Sequence, residues 1–446
     1  MHLPFSIYIA IACVTNPGFN RQTGKSPLKH LIGFLLLFMF LSSVSAQDNF
    51  AVEGIIYAKE TKEPLPFASI SLKNFTIGTI SNEKGQFDIY IPKSMRQDTL
   101  VVSYIGFTGY EIPLKNILKP ISIQLETANN VLDEIVLSNL APLDYIKMAI
   151  KNMELNAPQA PFESQAYYRE KFIENGKIID KNEAVFKTFY PSYKDSSKNQ
   201  HQLLLYKPAE NRQEFQFMSE WIKEKSAKEK KKADKKGEVY DEEKYDGNID
   251  IDFGGPQSVI DMDIYHTDKA NYLNPKHFNK YEYSFGDETS LNGEALVTII
   301  FKSKKTIDNI RDSGKILMSK DSYAIAQLQT SGKFSLPFLV RPVLFALGLK
   351  VENPEFRTTV SYQKFHDYWY PKLFRWDANV DLTKRHTFEE NEEAAIIIGQ
   401  VFSINSIQTK GNSISAEKRF DPDKKLKDQV YNDLQINWNQ INTVKD

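Results

Sequence analysis

Apolar and polar residues alternate in short runs between residues 50 and 127, and turn residues separate the runs. In one run Phe87, Ile89 and Ile91 share one side of a strand, and the residues between them share the other. Gly85 ends an Asn-Glu-Lys-Gly turn just before this run, where a backbone with positive φ is expected. The pattern predicts seven strands, which fit a two-sheet β-sandwich.

Two later segments have apolar residues at helical spacing. The first begins at Pro142, which suits the first turn of a helix, and Pro158 lies just beyond its end. Its apolar stripe consists of Leu143, Ile146, Ile150 and Met153. We expect a helix over residues 142–154. A last helix is expected to open at Asp421 and Pro422, with a stripe formed by Leu426, Val430 and Leu434.

Long strands rich in aromatic residues make up most of the rest of the chain. Asn175 and Gly176 mark the turn of one hairpin, and Lys320 and Asp321 mark the turn of another. Further strands are expected over residues 277–286, 294–305, 356–365, 368–382 and 394–408. The chain is therefore predicted to be mainly β (α+β), with a larger curved antiparallel β-sheet or half-barrel and a few helices behind the sandwich.

The predicted organisation has four parts. A signal peptide and leader occupy residues 1–46, and the sandwich occupies residues 50–127. A linker over residues 128–141 then leads to the β-rich domain, residues 142–446.

The leader has the pattern of a targeting segment. Lys25 and Lys29 precede an apolar run over residues 31–41, and small residues follow at Val44 and Ala46. The run is shorter than a bilayer span requires. We expect a signal peptide cleaved near Ala46, which makes the protein exported; an uncleaved anchor is the alternative.

Two segments of the β-rich region depart from the strand pattern. Residues 222–247 carry a lysine run and then acidic residues, typical of a solvated helix or disordered insert; a basic patch for an anionic surface is the alternative. Residues 336–351 are the most apolar stretch after the leader. We expect them to form a buried helix or loop that closes the sheet, and the alternative is a lid or a lipid-facing segment. Arg341 and Pro342 interrupt this stretch, which is too short to span a bilayer.

Composition narrows the function classes that remain. Lys and Arg number 56 and Asp and Glu number 57, so the chain has almost no net charge. This balance disfavours nucleic acid as the main partner, because such binding needs a basic surface. The single cysteine, Cys13, lies in the leader, so the rest of the chain has no thiol for a disulfide, a metal site or a nucleophile.

Candidate chemical groups are scattered along the sequence. The histidines after the leader form no metal motif: His201, His266, His277, His366 and His386. Two acid pairs, Asp250 with Asp252 and Asp261 with Asp263, would each share one face of a strand. Such pairs could bind calcium, although exposed acid pairs without that role are common.

An aromatic cluster follows residue 367 and could stack on sugar rings. Its members are Tyr368, Trp369, Tyr370, Phe374 and Trp376. The simpler interpretation is a hairpin turned by Pro371 and Lys372, with its aromatic rings divided between core and edge. We assign no catalytic residue, no cofactor, no cofactor-binding residue and no metal ligand from the sequence.

Several spaced motifs in the sandwich resemble those of a known family. They are Gly54, residues 64–68, Gly78-Thr79, residues 81–87 and residues 103–107. These motifs look like the carboxypeptidase regulatory-like domain, which has a transthyretin-like (prealbumin-like) fold and is common in envelope proteins of the Bacteroidetes. The resemblance implies a non-catalytic accessory or interaction module. The expected helix and the strand after it are similar to the periplasmic part of Bacteroidetes proteins that continue into a domain of unknown function.

These observations predict an exported, non-catalytic protein of the cell envelope, in the periplasm or associated with the outer membrane. It would bind an envelope protein, a lipid or a glycan, and membrane association is compatible with a mature chain that lacks a transmembrane span. The alternative is an envelope hydrolase that acts on polysaccharide or peptide through carboxylates that the sequence does not identify. A polar cleft with two carboxylates of raised pKa would favour the hydrolase, and an apolar cavity near residues 336–351 would favour the binding module.

Overall fold

The computed structural model describes most of the chain after residue 48. The described residues are 49–117, 120–128, 140–191, 198–210, 213–237, 255–264, 270–336, 341–386, 390–429, 438 and 441–445. Several features of interest in the sequence lie outside the described residues: the leader with Cys13, most of the linker, the acidic half of the charged insert, Asp250, Asp252, His266, Val430 and Leu434.

Seven strands form the N-terminal sandwich, as the alternation predicts. Their bounds are β1 Asn49–Ala58, β2 Ser69–Leu72, β3 Gly78–Ile80, β4 Gln86–Pro92, β5 Thr99–Ser103, β6 Tyr110–Pro113 and β7 Ile121–Leu125. One sheet has the order β4-β1-β7, and the other has the order β3-β2-β5-β6. The β1–β7 pair is parallel, and the other pairs are antiparallel.

The core of the sandwich is built from the predicted alternation. Phe87, Ile89 and Ile91 of β4 are completely buried between the two sheets. The turn before β4 ends at Gly85, whose φ is +74°. A Cβ on Gly85 would lie 2.3 Å from the carbonyl oxygen of Ile56. The turn therefore depends on glycine, both for its backbone conformation and for its close approach to β1.

Eleven strands form the large sheet, which is curved, open and antiparallel, as predicted. Their bounds are β8 Phe162–Glu174, β9 Lys177–Tyr190, β10 Gln200–Lys207, β11 Tyr281–Phe285, β12 Thr289–Leu291, β13 Glu294–Ser303, β14 Ile310–Ser319, β15 Ile325–Phe334, β16 Leu349–Phe365, β17 Tyr368–Lys384 and β18 Glu392–Gln408. The order is β10-β9-β8-β18-β17-β16-β15-β14-β13-β11, and β12 pairs with β13. Strands β8 and β9 meet at Asn175 and Gly176, and β14 and β15 flank Lys320 and Asp321, as expected.

The described helices are α1 Pro142–Asn156, α2 Ser219–Lys236, α3 Gly255–Ile260 and α4 Arg341–Ala346. Helix α1 confirms the first predicted stripe, because Ile146 is fully buried and Ile150 and Met153 pack against the main core. Helix α2 carries the lysine run on a largely exposed surface, as expected of a solvated helix. None of these described helices combines the length and the apolar character needed to cross a membrane.

The two faces of the large sheet pack against different parts of the molecule. On one face, Phe374 and Phe402 join the main core, against which residues of α1 also pack. On the other face, Leu373 and Val401 pack against Ile80 of the sandwich. Because side chains alternate along a strand, neighbouring residues such as Leu373 and Phe374 serve the two different interfaces.

A buried arginine joins the sandwich, the large sheet and the end of the chain. Arg169 of β8 is 2% exposed and donates from Nη1 to the carbonyl oxygens of Val444, at 3.2 Å, and Lys445, at 3.3 Å. Its Nη2 lies 3.4 Å from Glu83 Oε1 in the sandwich. The sandwich and the large sheet accordingly belong to one compact unit.

The expected turn at Pro371 and Lys372 is wrong. Strand β17 runs through both residues, and the chain reverses earlier, where Phe365 pairs with Tyr368. The register shifts at this point, because Ser361 pairs with Leu373 whereas the next residue pairs with Pro371. Proline has no N–H to give to the ladder, and a β-bulge accommodates it within the strand.

The expected burial of residues 336–351 is also wrong for the part that the structure describes. Phe345 of α4 is 80% exposed and Leu347 is 37% exposed. Helix α4 lies in the connection between β15 and β16, at the end of the sheet. Phe345 and Leu347 lie in this connection, outside the strands, whereas Leu349, the first residue of β16, packs against a buried cluster that includes Ile396.

The last expected helix does not begin at Asp421. Residues 421–429 form turns and one 3₁₀ turn, Leu426–Asp428. The Gln429 side chain accepts a hydrogen bond from Asp421 N at 2.8 Å and donates to Asp421 O at 2.9 Å. The Gln429 side chain thus bonds the backbone N–H and C=O of Asp421, and that C=O would otherwise accept a bond within a helix.

Candidate functional site

A cleft of about 660 Å³ lies between the sandwich and the large sheet. Strands β2, β3 and β5 form one wall, and strands β13 to β17 form the other. Hydroxyl and amide side chains provide much of its lining, among them Ser69, Ser71, Gln327, Gln329, Thr359 and Ser361. The cleft is therefore a polar site at an interface between two sheets.

Strand alternation explains why both walls are polar. In β2 the serines at 69 and 71 alternate with Ile70 and Leu72, which are buried in the sandwich core. In β15 and β16 the polar residues alternate with Leu328 and Val360, which enter the main core. Each strand thus buries its apolar side in its own core and turns its polar side to the cleft.

The bulge in β17 places a lysine on the cleft wall. Lys372 is the extra residue of the bulge, because its neighbours Pro371 and Leu373 pair with consecutive residues of β16. A bulge re-aims the side chain of the inserted residue. Lys372 lines the cleft, and its ammonium reaches the boundary with the sandwich beside Gly78.

Lys372 is buried without a counterion. The residue is 5% exposed, and no described residue forms an ion pair with it or accepts a hydrogen bond from it. Burial lowers the pKa of the Lys372 ammonium to about 8. At neutral pH the group therefore still carries its positive charge, in a place where desolvation makes that charge costly.

Two further side chains of the same strand line the cleft beside Lys372. The indole Nε1 of Trp369 is buried, and no described residue accepts a hydrogen bond from it. Arg375 Nε is buried in an ion pair with Asp377 Oδ2, at 2.7 Å. Because both nitrogens are enclosed, the Lys372 ammonium is the group of β17 that an acceptor oxygen of a ligand would engage.

The carboxylates near the cleft are already engaged. Glu294 is the one carboxylate among the described lining residues, and its Oε2 accepts a hydrogen bond from Lys364 Nζ at 2.8 Å. Lys315 also lines the cleft and has no ion-pair partner among the described residues. The lining carries more positive than negative charge, so it favours an anion.

The sandwich contributes an aromatic ring to the same site. Phe67 lies with its ring 4.0 Å from the guanidinium carbon of Arg375. This cation–π contact joins the two walls of the cleft. Phe67 also packs against the apolar residues that join the sandwich to the large sheet, which include Ile80 and Leu373.

The described histidines do not gather at one site. His201 Nδ1 lies 2.9 Å from Thr188 Oγ1, and burial lowers the pKa of this imidazole to about 4. The other three are separate: His277 contacts Asn271, His366 lines the cleft, and His386 contacts Glu392. Among the described residues, no group of three or more His, Cys, Asp or Glu side chains could hold a metal.

The described acid pair does not form the expected strand face. Asp261 and Asp263 lie in the turn after α3, and Asp263 accepts a hydrogen bond from the Tyr362 hydroxyl at 2.7 Å. Two carboxyls elsewhere have a pKa raised by burial, Asp312 and Asp377. Asp312 bonds Tyr281 of the main core, whereas Asp377 pairs with Arg375 on the opposite face of the sheet. The structure therefore does not bring these two carboxyls together.

The aromatic cluster is mainly structural. Tyr370 and Phe374 belong to the main core, and the Tyr370 ring packs edge-on against Phe162 at 5.1 Å. Trp369 serves both the core and the cleft wall. Sequence reasoning identified Trp369 but missed Lys372 and Arg375. The available signal is Pro371 inside a long strand pattern, because a proline there marks either a turn or a bulge.

Comparisons with known proteins agree with the resemblance of the sandwich. Residues 52–137 match the family described as CarboxypepD_reg-like domain. Among curated proteins, none matches the chain.

Three solved structures show weak similarity to the chain. A DUF1329 family protein from Desulfovibrio piger is 9% identical over 60% of this chain and 93% of its own, with a TM-score of 0.21. A LolA superfamily protein from Nitrosomonas europaea is 6% identical over 61% of this chain and 96% of its own, with a TM-score of 0.21. A putative membrane-associated protein of unknown function from Bacteroides fragilis is 9% identical over 80% of this chain and 98% of its own, with a TM-score of 0.15.

Proposed function

We propose that the protein is an exported, non-catalytic binding module of the cell envelope and that its cleft binds an acidic saccharide. The observation that carries the proposal is Lys372, a buried ammonium on the cleft wall with no acceptor among the described residues. An unpaired buried charge is unfavourable by several kcal/mol. A ligand with a carboxylate would supply the missing counterion.

A second cation of the lining supports the same chemistry. Lys315 lines the cleft and has no ion-pair partner among the described residues. Hydrogen bonds to an ionised acceptor are about twice as strong as neutral ones. A saccharide provides several oxygens at short spacing, so one ligand can engage the Lys372 ammonium together with hydroxyl or amide groups of the lining.

The body of the cleft favours a saccharide over an acyl chain. Hydroxyl and amide groups occupy the sheet face around the ammonium, and Gln327 Nε2 donates to Ser361 Oγ at 2.9 Å. An acyl chain would displace the water that is hydrogen-bonded to these groups and would offer them no hydrogen bonds in its place. The volume of about 660 Å³ lies within the usual range for small-ligand pockets, roughly 300–1,000 Å³.

The leader and the sandwich behind it both support a location in the cell envelope. Basic residues before an apolar run at 31–41, followed by small residues, have the pattern of an export signal. The match to the CarboxypepD_reg-like family begins a few residues after the expected cleavage position. An accessory sandwich behind an export signal suits a protein that works outside the cytoplasm.

Binding is favoured over hydrolysis by the carboxylates of the cleft. Glycoside hydrolysis commonly uses two carboxyl groups on either side of the scissile bond. The described lining holds only Glu294, which Lys364 neutralises. The cleft thus has the cations of an anion-binding site without the acid–base pair of a glycosidase.

Isothermal titration calorimetry tests the proposal with oligosaccharides of uronic acids and neutral oligosaccharides of equal length. We expect the acidic ligands to bind, the neutral ones to bind at least tenfold more weakly, and Lys372→Met to remove most of this difference. Lys302→Met is the matched control, because Lys302 is an exposed strand lysine away from the cleft.

Three results would contradict the proposal. If no uronic-acid oligosaccharide binds, the cleft does not take an acidic saccharide. If Lys372→Met binds as tightly as the parent protein, the buried ammonium is not the anchor. If the protein shortens the oligosaccharide during the titration, the hydrolase is the correct function.

A further inference from the structure

The connection between β15 and β16 carries an exposed apolar segment, which we name the apolar tip and define as Phe345, Ala346 and Leu347. Phe345 is the most exposed large apolar side chain of the described residues, at 80%, and Leu347 is 37% exposed. The three residues are consecutive. Isolated exposed apolar residues are ordinary, but a run of them at one tip indicates a contact surface.

The geometry of the hairpin places the apolar tip at the end of the sheet. Strand β16 has 17 residues, whereas β14 and β15 have 10 each. Helix α4 is a six-residue turn between β15 and β16. Its carboxyl end is held by backbone bonds, because Gly348 N donates to Phe345 O at 2.9 Å and Arg385 N donates to Gly348 O at 2.8 Å. The exposed ring of Phe345 is thus carried on an ordered turn.

Lys384 connects the apolar tip to the basic helix α2. Its ammonium donates to the carbonyl oxygen of Leu347 and lies 5.9 Å from the centre of the Trp221 ring. Trp221 is in the first turn of α2. The lysine-rich helix therefore begins beside the apolar tip.

The basic charge beside the apolar tip comes from helix α2. This helix holds eight lysines and four acidic residues, a net charge of +4. At the end of the sheet itself, the cations Arg341, Lys384 and Arg385 are balanced by carboxylates such as Glu352 and Glu392. An apolar tip beside a basic helix matches the chemistry of an anionic bilayer, in which acyl chains lie beneath negative headgroups.

We propose that the apolar tip and helix α2 dock the protein on the anionic surface of a lipid bilayer. Phe345 and Leu347 enter the boundary between headgroups and acyl chains, and the lysines of α2 contact the negative headgroups. The attachment is peripheral, because α4 is far shorter than a membrane span. This docking is independent of the saccharide cleft and adds a membrane partner to the proposed function.

Vesicle cosedimentation tests the docking with the protein lacking residues 1–46, so that the apolar run of the leader cannot contribute. The compact unit Asn49–Asp446 remains whole in this protein. Vesicles are phosphatidylcholine alone or phosphatidylcholine mixed with phosphatidylglycerol. We expect binding to the mixed vesicles, at least tenfold weaker binding to the neutral ones, and loss of binding as salt is raised.

Two variants separate the apolar and the electrostatic contributions. Phe345→Ser with Leu347→Ser should lower binding to the mixed vesicles about tenfold or more, because the apolar contact is lost without a change of charge. Substitution of Lys231, Lys235 and Lys236 by glutamine should lower binding to the mixed vesicles and leave binding to neutral vesicles unchanged. Leu155→Ser is the matched control, since Leu155 is 72% exposed on α1 and should have no effect.

Equal binding of neutral and mixed vesicles would overturn the proposal, as would unchanged binding of the Phe345 and Leu347 variant. Failure of the parent protein to sediment with mixed vesicles at low salt would also overturn it. Saccharide titration of the same variant provides a separate readout. The affinity of this variant for the acidic saccharide should match that of the parent protein. The cleft proposal can therefore be tested even if the membrane proposal fails.

Discussion

Lys372 of the large sheet, on the cleft wall, reaches Gly78 of the sandwich. A Cβ on Gly78 would lie 2.9 Å from Lys372 Nζ and 2.7 Å from the carbonyl oxygen of Ile70. Glycine therefore leaves the space that the ammonium occupies, and no side chain from β3 supplies a counterion at this position. The two residues are nearly 300 positions apart in the chain, so this arrangement exists only because the sandwich docks on the sheet.

Gly78→Ala should perturb both sides of this contact. The added methyl group must move the Lys372 side chain or part β3 from β2, and we expect a loss of about 1–3 kcal/mol in the free energy of unfolding. Affinity for the acidic saccharide should fall as well. Gly109→Ala is the control. The nearest atom to its Cβ would be Oδ1 of the flexible Asn292 side chain, at 3.3 Å. Urea unfolding and calorimetry check both effects, and equal behaviour of the two variants would contradict the tight contact.

Lys372→Met should stabilise the protein without ligand. Burial lowers the pKa of the folded-state lysine to about 8 from 10.5. Between these two pH values the unfolded chain holds the proton and the folded protein does not, so the stability of the parent protein rises with pH across this window. Below pH 8 both states are protonated, and the full penalty of about 3 kcal/mol is present.

Unfolding in guanidinium at pH 7 and pH 10 measures this difference. The variant should be more stable than the parent at pH 7, and the gap should narrow at pH 10. Lys302→Met again serves as control. Its free energy of unfolding should differ from that of the parent protein by the same amount at pH 7 and pH 10. A variant less stable than the parent at pH 7 would show that Lys372 has a stabilising partner in the ligand-free protein.

The sheets could be predicted from the sequence because strand burial leaves a local signal. The alternation of Phe87, Ile89 and Ile91 reports one buried face, and the turn at Asn175 and Gly176 reports the end of a hairpin. Both features depend on residues within a few positions of one another. The number of sandwich strands and the antiparallel large sheet followed from such patterns.

The cleft could not be predicted, because it depends on how two sheets pack. Ser71 and Thr359 are polar strand residues that any solvent-exposed face would carry, and only docking encloses them. The position of Lys372 could not be predicted either. Proline is unfavourable within a strand, so the sequence indicated a turn, whereas the structure accommodates it with a bulge that displaces Lys372. Burial is the preferred prediction for residues 336–351 because an apolar run is usually buried, and the exposed Phe345 fits the alternative of a lid or a lipid-facing segment.

His201 should make stability depend on pH in the acidic range. The residue keeps some surface exposure, but its imidazole is enclosed enough to lower its pKa to about 4 from 6.5. Between these values the unfolded chain binds a proton that the folded protein does not, so stability falls as pH decreases through this window. The loss is up to about 3 kcal/mol, reduced by the partial exposure.

His201→Gln should remove this dependence while it retains a group that can bond Thr188. Urea unfolding of the parent protein and the variant at pH 7 and pH 4.5 measures the difference between them. His366→Gln is the control, because His366 is exposed in the turn between β16 and β17. If the His201 variant loses as much stability as the parent on acidification, other groups cause the acid sensitivity.

Arg169→Leu should loosen the attachment of the sandwich and of the C-terminal segment to the large sheet. The change removes the hydrogen bonds to the carbonyl oxygens of Val444 and Lys445 and leaves these oxygens without their buried donor. We expect a loss of about 2–4 kcal/mol in the free energy of unfolding. Amide hydrogen exchange should accelerate in residues 441–445.

Glu83→Gln is the control: Glu83 is half exposed, and its ion pair with Arg169 should contribute under about 1 kcal/mol. If exchange in residues 441–445 accelerates equally in both variants, the bonds from Arg169 to the C-terminal carbonyls do not hold that segment.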